Sequence, residues 1–295
     1  MYLDGTGKKW WKGNLHAHTT NSDGRRSPQE VISLYQKQDY DFLAITDHWV
    51  LSETKMQDSM LLLAGCEYDV GLRGLAESGV YHLVAIGMHQ SPDLHKQPHL
   101  TAQQVLDAIH RAGGYAILAH PAWSLNRPDE ILKLNGIDAS EIYNTLSGTP
   151  WNGRRADSSV ILDTLSAAGM RIPCVASDDA HFYTGEHCRS FIWLQAEELT
   201  ECAVMDALRA GHFYASQGPK MEVSVSGKTV KVRCSAASMV VFYSNLVWSS
   251  NRVVSGENLT EAEYSLQPDE TFVRVEVVDA KGNLAWSSPI TVQEA

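Results

Sequence analysis

The apolar positions of this chain fall into short blocks of strand length, and most of these blocks stop at a residue able to bind a cation. A run opening at Trp10 leads into Asn14-Leu15-His16-Ala17-His18. Alternate side chains of a strand share a face, so His16 and His18 aim two imidazoles at one spot. The block at 41–46 ends in Asp47-His48, the block at 61–66 delivers Glu67, and the block at 81–87 carries His82. Further along, 115–119 ends in His120-Pro121, a strand is expected at 139–143, and 172–176 ends in Ser177-Asp178-Asp179-Ala180-His181.

Helical spacing lies between these blocks. Ser27-Pro28-Gln29-Glu30 supplies an N-cap, a first-turn proline and the closing acid of a capping box, starting a helix that runs to about Gln38. Thr101 and Gln104 cap a second helix over 101–112, with Val105, Leu106 and Ile109 on one face and Gly113-Gly114 as the stop. Two more helices are expected at about 128–134 and 158–168. Strand and helix alternate about seven times, which predicts an α/β fold with a parallel sheet closed as a barrel. The active site of such a barrel lies at the carboxyl ends of its strands, where the His, Asp and Glu residues fall here.

From Met221 onward the pattern changes to β-type runs at 222–225, 229–233, 239–243, 271–278 and 285–292, separated by Gly, Asn, Ser and Asp. A small antiparallel β-sandwich is expected there. Gln217-Gly218-Pro219 is the boundary, dividing the chain into 1–217 and 218–295. All 12 histidines lie at or before His212, so the second part is expected to serve packing or a partner contact and to contribute no ligand.

Composition narrows this picture in three ways. The start, Met1-Tyr2-Leu3-Asp4-Gly5, has no basic region followed by an apolar one, and no run of about 18 apolar residues occurs, so a soluble cytoplasmic protein with no membrane partner is expected. The five cysteines, Cys66, Cys174, Cys188, Cys202 and Cys234, are odd in number and never form Cys-x-x-Cys, which predicts reduced thiols and no zinc-thiolate site. A net charge of −11 disfavours a general nucleic-acid surface, although bound divalent cations would reverse the sign of an acidic pocket.

In combination, His16-x-His18, Ser22-Asp23-Gly24, Thr46-Asp47-His48, Gly65-x-Glu67, His82, Ala119-His120-Pro121 and Asp179-x-His181 resemble the PHP family, named for DNA polymerase and histidinol phosphatase. The resemblance covers about residues 10–182. It implies a distorted seven-stranded β/α barrel holding two to three divalent ions, Zn, Mn or Fe, at one end. One ion would sit on His16, His18, Glu67 and Asp179. A second, bridged by Glu67, would be held by His82 and His120, and a third by Asp23, His48 and His181. The Asp-x-His spacing favours Asp179 over Asp178. Some members carry a histidine where this chain has Asp23, which would make the third site harder and shift it toward manganese. The segment 208–219 also resembles the tail of a bacterial branch with an appended β domain, without assigning residue roles.

The implied chemistry is hydrolysis. Imidazoles mixed with a few carboxylates leave clustered ions with residual positive charge, suited to a phosphoryl group and to a hydroxide generated at neutral pH. The expected substrate is a small phosphorylated metabolite or nucleotide, with Glu67, Asp179, His181 and Arg189 as catalytic residues. Arg154, Arg155 and Arg189 are candidates for the outer phosphate oxygens, Arg189 first because it closely follows His181; each also fits a solvated surface arginine. His187 fits a solvated loop histidine better than a general acid. His89, His95 and His99 receive no role, and Trp10, Trp11 and Trp123 read as packing. Three other readings stay open: an exonuclease-like activity on short oligonucleotides, which needs a basic aromatic groove; a non-catalytic metal-binding domain; and attack of the same hydroxide on a carbon-nitrogen bond.

Overall fold

A computed structural model gives the fold and describes residues 1–71 and 79–292. The first part of the chain contains β1 (Tyr2–Leu3), β2 (Lys9–Asn14), β3 (Phe42–Ile45), β4 (Lys55–Gln57), β5 (Met60–Val70), β6 (Tyr81–Ile86), β7 (Tyr115–Leu118), β8 (Ala139–Asn144) and β9 (Cys174–Ser177). Helices α1 (Pro28–Gln36), α2 (Ala102–Arg111), α3 (Pro128–Ile131) and α4 (Ser159–Ala167) lie between them. Both expected capping boxes are formed, at Ser27 with Glu30 and at Thr101 with Gln104. The third helix is a single turn, shorter than the 128–134 read from the spacing.

Strand pairing runs β2-β3-β5-β6-β7-β8-β9, and a parallel bridge between Ala17 and Ala180 joins the last strand back to the first. The backbone hydrogen bonds Asp179 N to His16 O and His18 N to Ala180 O, each 3.0 Å, secure that join. The expectation of a wholly parallel sheet is corrected at β6, which runs antiparallel to both β5 and β7. Only residues 71–80 link β5 to β6, too few for the crossover of a dozen or more residues that a parallel neighbour needs. The reversal matters for the site. It puts the start of β6, with His82, at the end where the other strands finish.

The chain continues through β10 (Phe191–Gln195), α5 (Glu201–Arg209) and β11 (Phe213–Ser216), with β10 antiparallel to both β2 and β11. The remaining strands are β12 (Met221–Ser226), β13 (Thr229–Tyr243), β14 (Val253–Ser265), β15 (Phe272–Val278), β16 (Leu284–Trp286) and β17 (Ile290–Thr291). All their pairings are antiparallel. Two of the expected runs, 229–233 and 239–243, are one strand, β13, whose register against β14 shifts between Arg233 and Met239. That irregularity breaks the apolar alternation at Ser235-Ala236-Ala237-Ser238 and makes one strand look like two. The strand β16 pairs with both β15 and β11, so this region continues the sheet of the first part.

The result is a mixed α/β fold with a large sheet and few helices. An apolar cluster runs from Val31 and Tyr35 of α1 through Phe191, Trp193 and Tyr214 to Val230, Val240 and Val275. One ion pair also crosses between the parts: the fully buried Arg274 of β15 donates to both carboxylate oxygens of Asp163 on α4, at 2.7 and 2.8 Å. All five cysteines are free. Among the described residues no helix is long and apolar enough to cross a membrane.

Candidate metal centre

The site is assembled where β2, β3, β7 and β9 end, beside the long strand β5 and where the reversed β6 begins. His16 and His18 follow β2, and their Nε2 atoms stand 3.1 Å apart. Glu67 lies within the long strand β5, whose partner register places Asp69 opposite His82. His120 and Asp179 follow β7 and β9 and hold left-handed backbone, with φ of 29° and 53°. Non-glycine residues in that region are strained, and such strain concentrates at functional sites. The turn carrying Asp23 is fixed by Asp47, which accepts hydrogen bonds from Thr19 N at 2.7 Å, Thr19 Oγ1 at 2.6 Å and Ser22 Oγ at 2.7 Å. Gly24 is required there, since a Cβ would stand 2.5 Å from the carbonyl of His18.

Donor atoms gather into three groups: His16, His18, Glu67 and Asp179; His18, Asp23, His48 and His181; and His48, Glu67 and His82, each within 4.8 Å. The first matches the set implied for one ion. The second contains the Asp23, His48 and His181 set with His18 added. In the third, His48 joins Glu67 and His82, while His120 Nε2 lies 3.5 Å from Glu67 Oε1 and 3.8 Å from Asp179 Oδ2. Glu67 is the common member: its Oε2 is 3.2, 3.0 and 3.4 Å from Nε2 of His16, His18 and His48, and its Oε1 is 2.8 Å from His82 Nδ1.

This donor set fits divalent cations. Asp179 Oδ1 is buried and accepts no hydrogen bond, yet it faces His16 and His18 at 3.1 and 3.3 Å. Several imidazoles are engaged outward through Nδ1, which turns Nε2 inward as a ligand requires. The partners of those Nδ1 atoms are Glu141 Oε1 for His16 at 2.8 Å, Ser124 Oγ for His120 at 3.0 Å and the Asp179 carbonyl for His181 at 2.8 Å. His48 Nδ1 lies 3.4 Å from Asp69 Oδ1.

Electrostatics follow the same geometry. Burial works against the His16 imidazolium, but Asp179, Glu67 and Glu141 outweigh it and hold its pKa well above the usual value. Burial likewise opposes the charged form of His181, and Asp179 and Asp23 lift it to about 9. Burial opposes ionisation of Glu67, and the imidazoles of His16 and His82 nonetheless pull its pKa well down. Without cations, protonated His181 therefore contributes stability that is complete below its unfolded pKa of about 6.5 and is lost as pH rises toward 9. Metal binding must displace these protons, so affinity should rise over the same interval. Thermal unfolding of chelator-treated protein should show Tm falling from pH 6.5 to 9, with the metal-loaded protein gaining over it; a chelated protein whose Tm climbs would contradict this assignment.

A cavity of about 990 Å³ opens over the centre. Asp23, His48, Glu67, His82, Asp179 and His181 line its floor, and Trp123, Leu125 and Leu146 form apolar wall. Trp123, read as packing from the sequence, thus also faces this space, edge-on to His82 and His120 with centroids at 5.7 and 4.9 Å. The lysine and arginine lining it, among the described residues, are Lys96 and Arg127, paired with Asp69 and Glu130.

Other candidates lie elsewhere. The Arg189 guanidinium sits over the Trp151 ring at 5.3 Å, outside the cavity lining, and Arg154 and Arg155 are exposed. His187 is half-buried beside Tyr183 at 5.6 Å, and burial pushes its pKa down. His89, His95 and His99 are exposed. Asp178 is turned away from the imidazoles: it accepts the N–H groups of Cys188, Arg189 and Ser190, and burial pushes its pKa up to about 6. Sequence reading missed Glu141, Asn144, Asp69 and Lys96. The signal for Glu141 was present as a lone acid inside the buried strand β8.

Comparison with family models and with curated proteins yields no match. Among solved structures, the chain is similar to a two-domain protein from Bacteroides vulgatus containing a predicted PHP-like metal-dependent phosphoesterase. The TM-score is 0.54 at 16% identity, over 98% of this chain and 97% of that one. It also matches a chain from Bifidobacterium adolescentis named for metal-dependent phosphoesterase activity, with TM-score 0.40 and 14% identity over 57% of this chain and 87% of that one. An amidohydrolase from Chromobacterium violaceum with bound sulfate and no metal matches with TM-score 0.42 and 14% identity, over 59% and 89%. The first of these establishes a shared fold along nearly the whole chain.

Proposed function

We propose that this chain is a metal-dependent hydrolase that cleaves a phosphoester of a small phosphorylated metabolite or nucleotide, on a distorted seven-stranded barrel of PHP type. One observation carries the reading: a single buried carboxylate, Glu67, faces the ring nitrogens of His16, His18, His48, His82 and His120 at 2.8 to 3.5 Å. In this reading His16, His18, Glu67 and Asp179 hold one cation. Glu67 bridges to a second held with His82 and His120, and Asp23, His48 and His181 hold a third. Two to three divalent ions, Zn, Mn or Fe, would supply Lewis acidity at the phosphoryl group and lower the pKa of a water from about 15.7 to about 7.

The chain's own residues define what can enter. Lys96 and Arg127, on the cavity wall, are better placed than Arg189 to meet the outer oxygens of a phosphate, and Trp123, Leu125 and Leu146 offer an apolar surface to the rest of the molecule. Residues 218–295 form the second unit of the proposal, which packs against the first and gives no ligand. All three donor groups come from residues that precede Phe182.

The test is phosphate release from a panel of phosphomonoesters, phosphodiesters and dinucleotides with added Mn²⁺, repeated with chelator. Chelator-sensitive release from at least one class is expected. Protein that carries its metals and releases no phosphate from any of them would overturn the reading.

A further inference from the structure

Glu141 is buried in β8, and its two oxygens reach three segments that carry ligands. Oε1 accepts from His16 Nδ1 at 2.8 Å and from Ser177 Oγ at the end of β9. Oε2 accepts the backbone N–H of His120 at 2.8 Å and Asn144 Nδ2 at 2.7 Å. Asn144 Nδ2 also reaches Asp179 Oδ2 at 3.3 Å. The position of β8 between β7 and β9 makes this possible, since His120 follows one neighbour and Asp179 the other.

From this geometry we infer that Glu141 is a positioning residue that couples the cation sites of the centre, an inference that rests on the function proposed above. One carboxylate sets the His16 tautomer, holds the strained backbone of His120, whose φ is 29°, and steers Asp179 through Asn144. His16 and Asp179 belong to one cation set and His120 to another, so disturbing Glu141 disturbs both. Ser124 is different: its hydroxyl meets His120 Nδ1 at 3.0 Å and makes no contact with the other set. Outer partners of metal-ligating histidines are typically worth 10- to 100-fold in metal affinity.

Glu141→Gln keeps the shape of the side chain but replaces one acceptor oxygen with a donor amide, so two of the four donors lose their acceptor. The experiment is equilibrium dialysis of the full chain against Mn²⁺ alone, with bound metal quantified by mass spectrometry. E141Q should weaken at least two bound Mn²⁺ by about 10- to 100-fold, and Ser124→Ala should weaken one only. Asp163→Asn, which disturbs the remote Arg274 pair, should lower Tm and leave Mn²⁺ uptake unchanged, separating positioning from general destabilisation. If E141Q does not fold, Asn144→Ala, which cuts the link to Asp179, must weaken Mn²⁺ uptake. Wild-type uptake with unchanged affinity in E141Q, or in N144A where E141Q fails to fold, overturns the coupling alone. Wild-type protein that takes up no Mn²⁺ overturns the proposed function and the coupling with it.

Discussion

Glu67→Gln should reduce turnover on the order of 10³-fold and lower the metal content of the purified protein. Glu67 is 1% exposed and stands at 2.8 to 3.4 Å from ring nitrogens of His16, His18, His48 and His82, so both of its oxygens are committed to the centre. The amide of glutamine offers one neutral acceptor where two anionic oxygens are needed and directs a donor at imidazole nitrogens meant for cations. Lewis-acid stabilisation by a metal is worth several kcal/mol, and each 1.4 kcal/mol is tenfold in rate, which gives the magnitude. Steady-state kinetics together with metal analysis of the variant checks this. Turnover and metal content near those of the wild type would remove Glu67 from its bridging role.

Arg274→Met should lower Tm by roughly 6 to 12 °C without changing the metal content of the folded protein. The guanidinium is fully buried and binds Asp163 through two hydrogen bonds, and Glu276 lies 3.5 Å away. Removing one partner of a buried pair costs about 3 to 5 kcal/mol; the lower end applies because Asp163 is 22% exposed and part of its charge is solvated. At roughly 2 to 4 °C per kcal/mol for a chain of this order of size, the shift follows. Adding Asp163→Leu should recover most of the loss, since an apolar pair of similar volume avoids the stranded charge. Calorimetry of the single and double variants checks both statements, and a single variant within 2 °C of the wild type would show that this contact does not hold β15 to α4.

The candidate donors other than Asp23 were legible because each follows or interrupts a short apolar block, whereas Asp23 sits in a polar turn and was singled out only by the resemblance. Period-two spacing made His16 and His18 neighbours, and the strand-end rule placed His48, His120, Asp179 and His181 together before any contact was known. The helix caps at Ser27 and Thr101 were legible for a local reason, since capping boxes are written within four residues. What escaped depends on direction, or on residues whose partners are remote in sequence. The reversal of β6 is set by the short link at 71–80, and only that reversal brings His82 beside Glu67. Asp69, Asn144 and Lys96 carry no local pattern that sets them apart, and Glu141 declares itself only as a charge inside a buried strand. The strand β14 was missed because its exposed Ser, Gly, Glu and Asn residues dilute the alternation, with only Ala262 and Tyr264 buried. Arg274 lies between Val273 and Val275, and its burial follows from Asp163, far away in the chain.

The most direct measurement of the central claim is the metal content of the full chain, by inductively coupled plasma mass spectrometry, after growth with added manganese, zinc and iron. The three overlapping donor groups hold eight different residues spread over three centres, twice the four ligands that one tetrahedral ion takes. About two to three divalent ions per chain are expected; one ion or none would contradict the shared metal centre around Glu67.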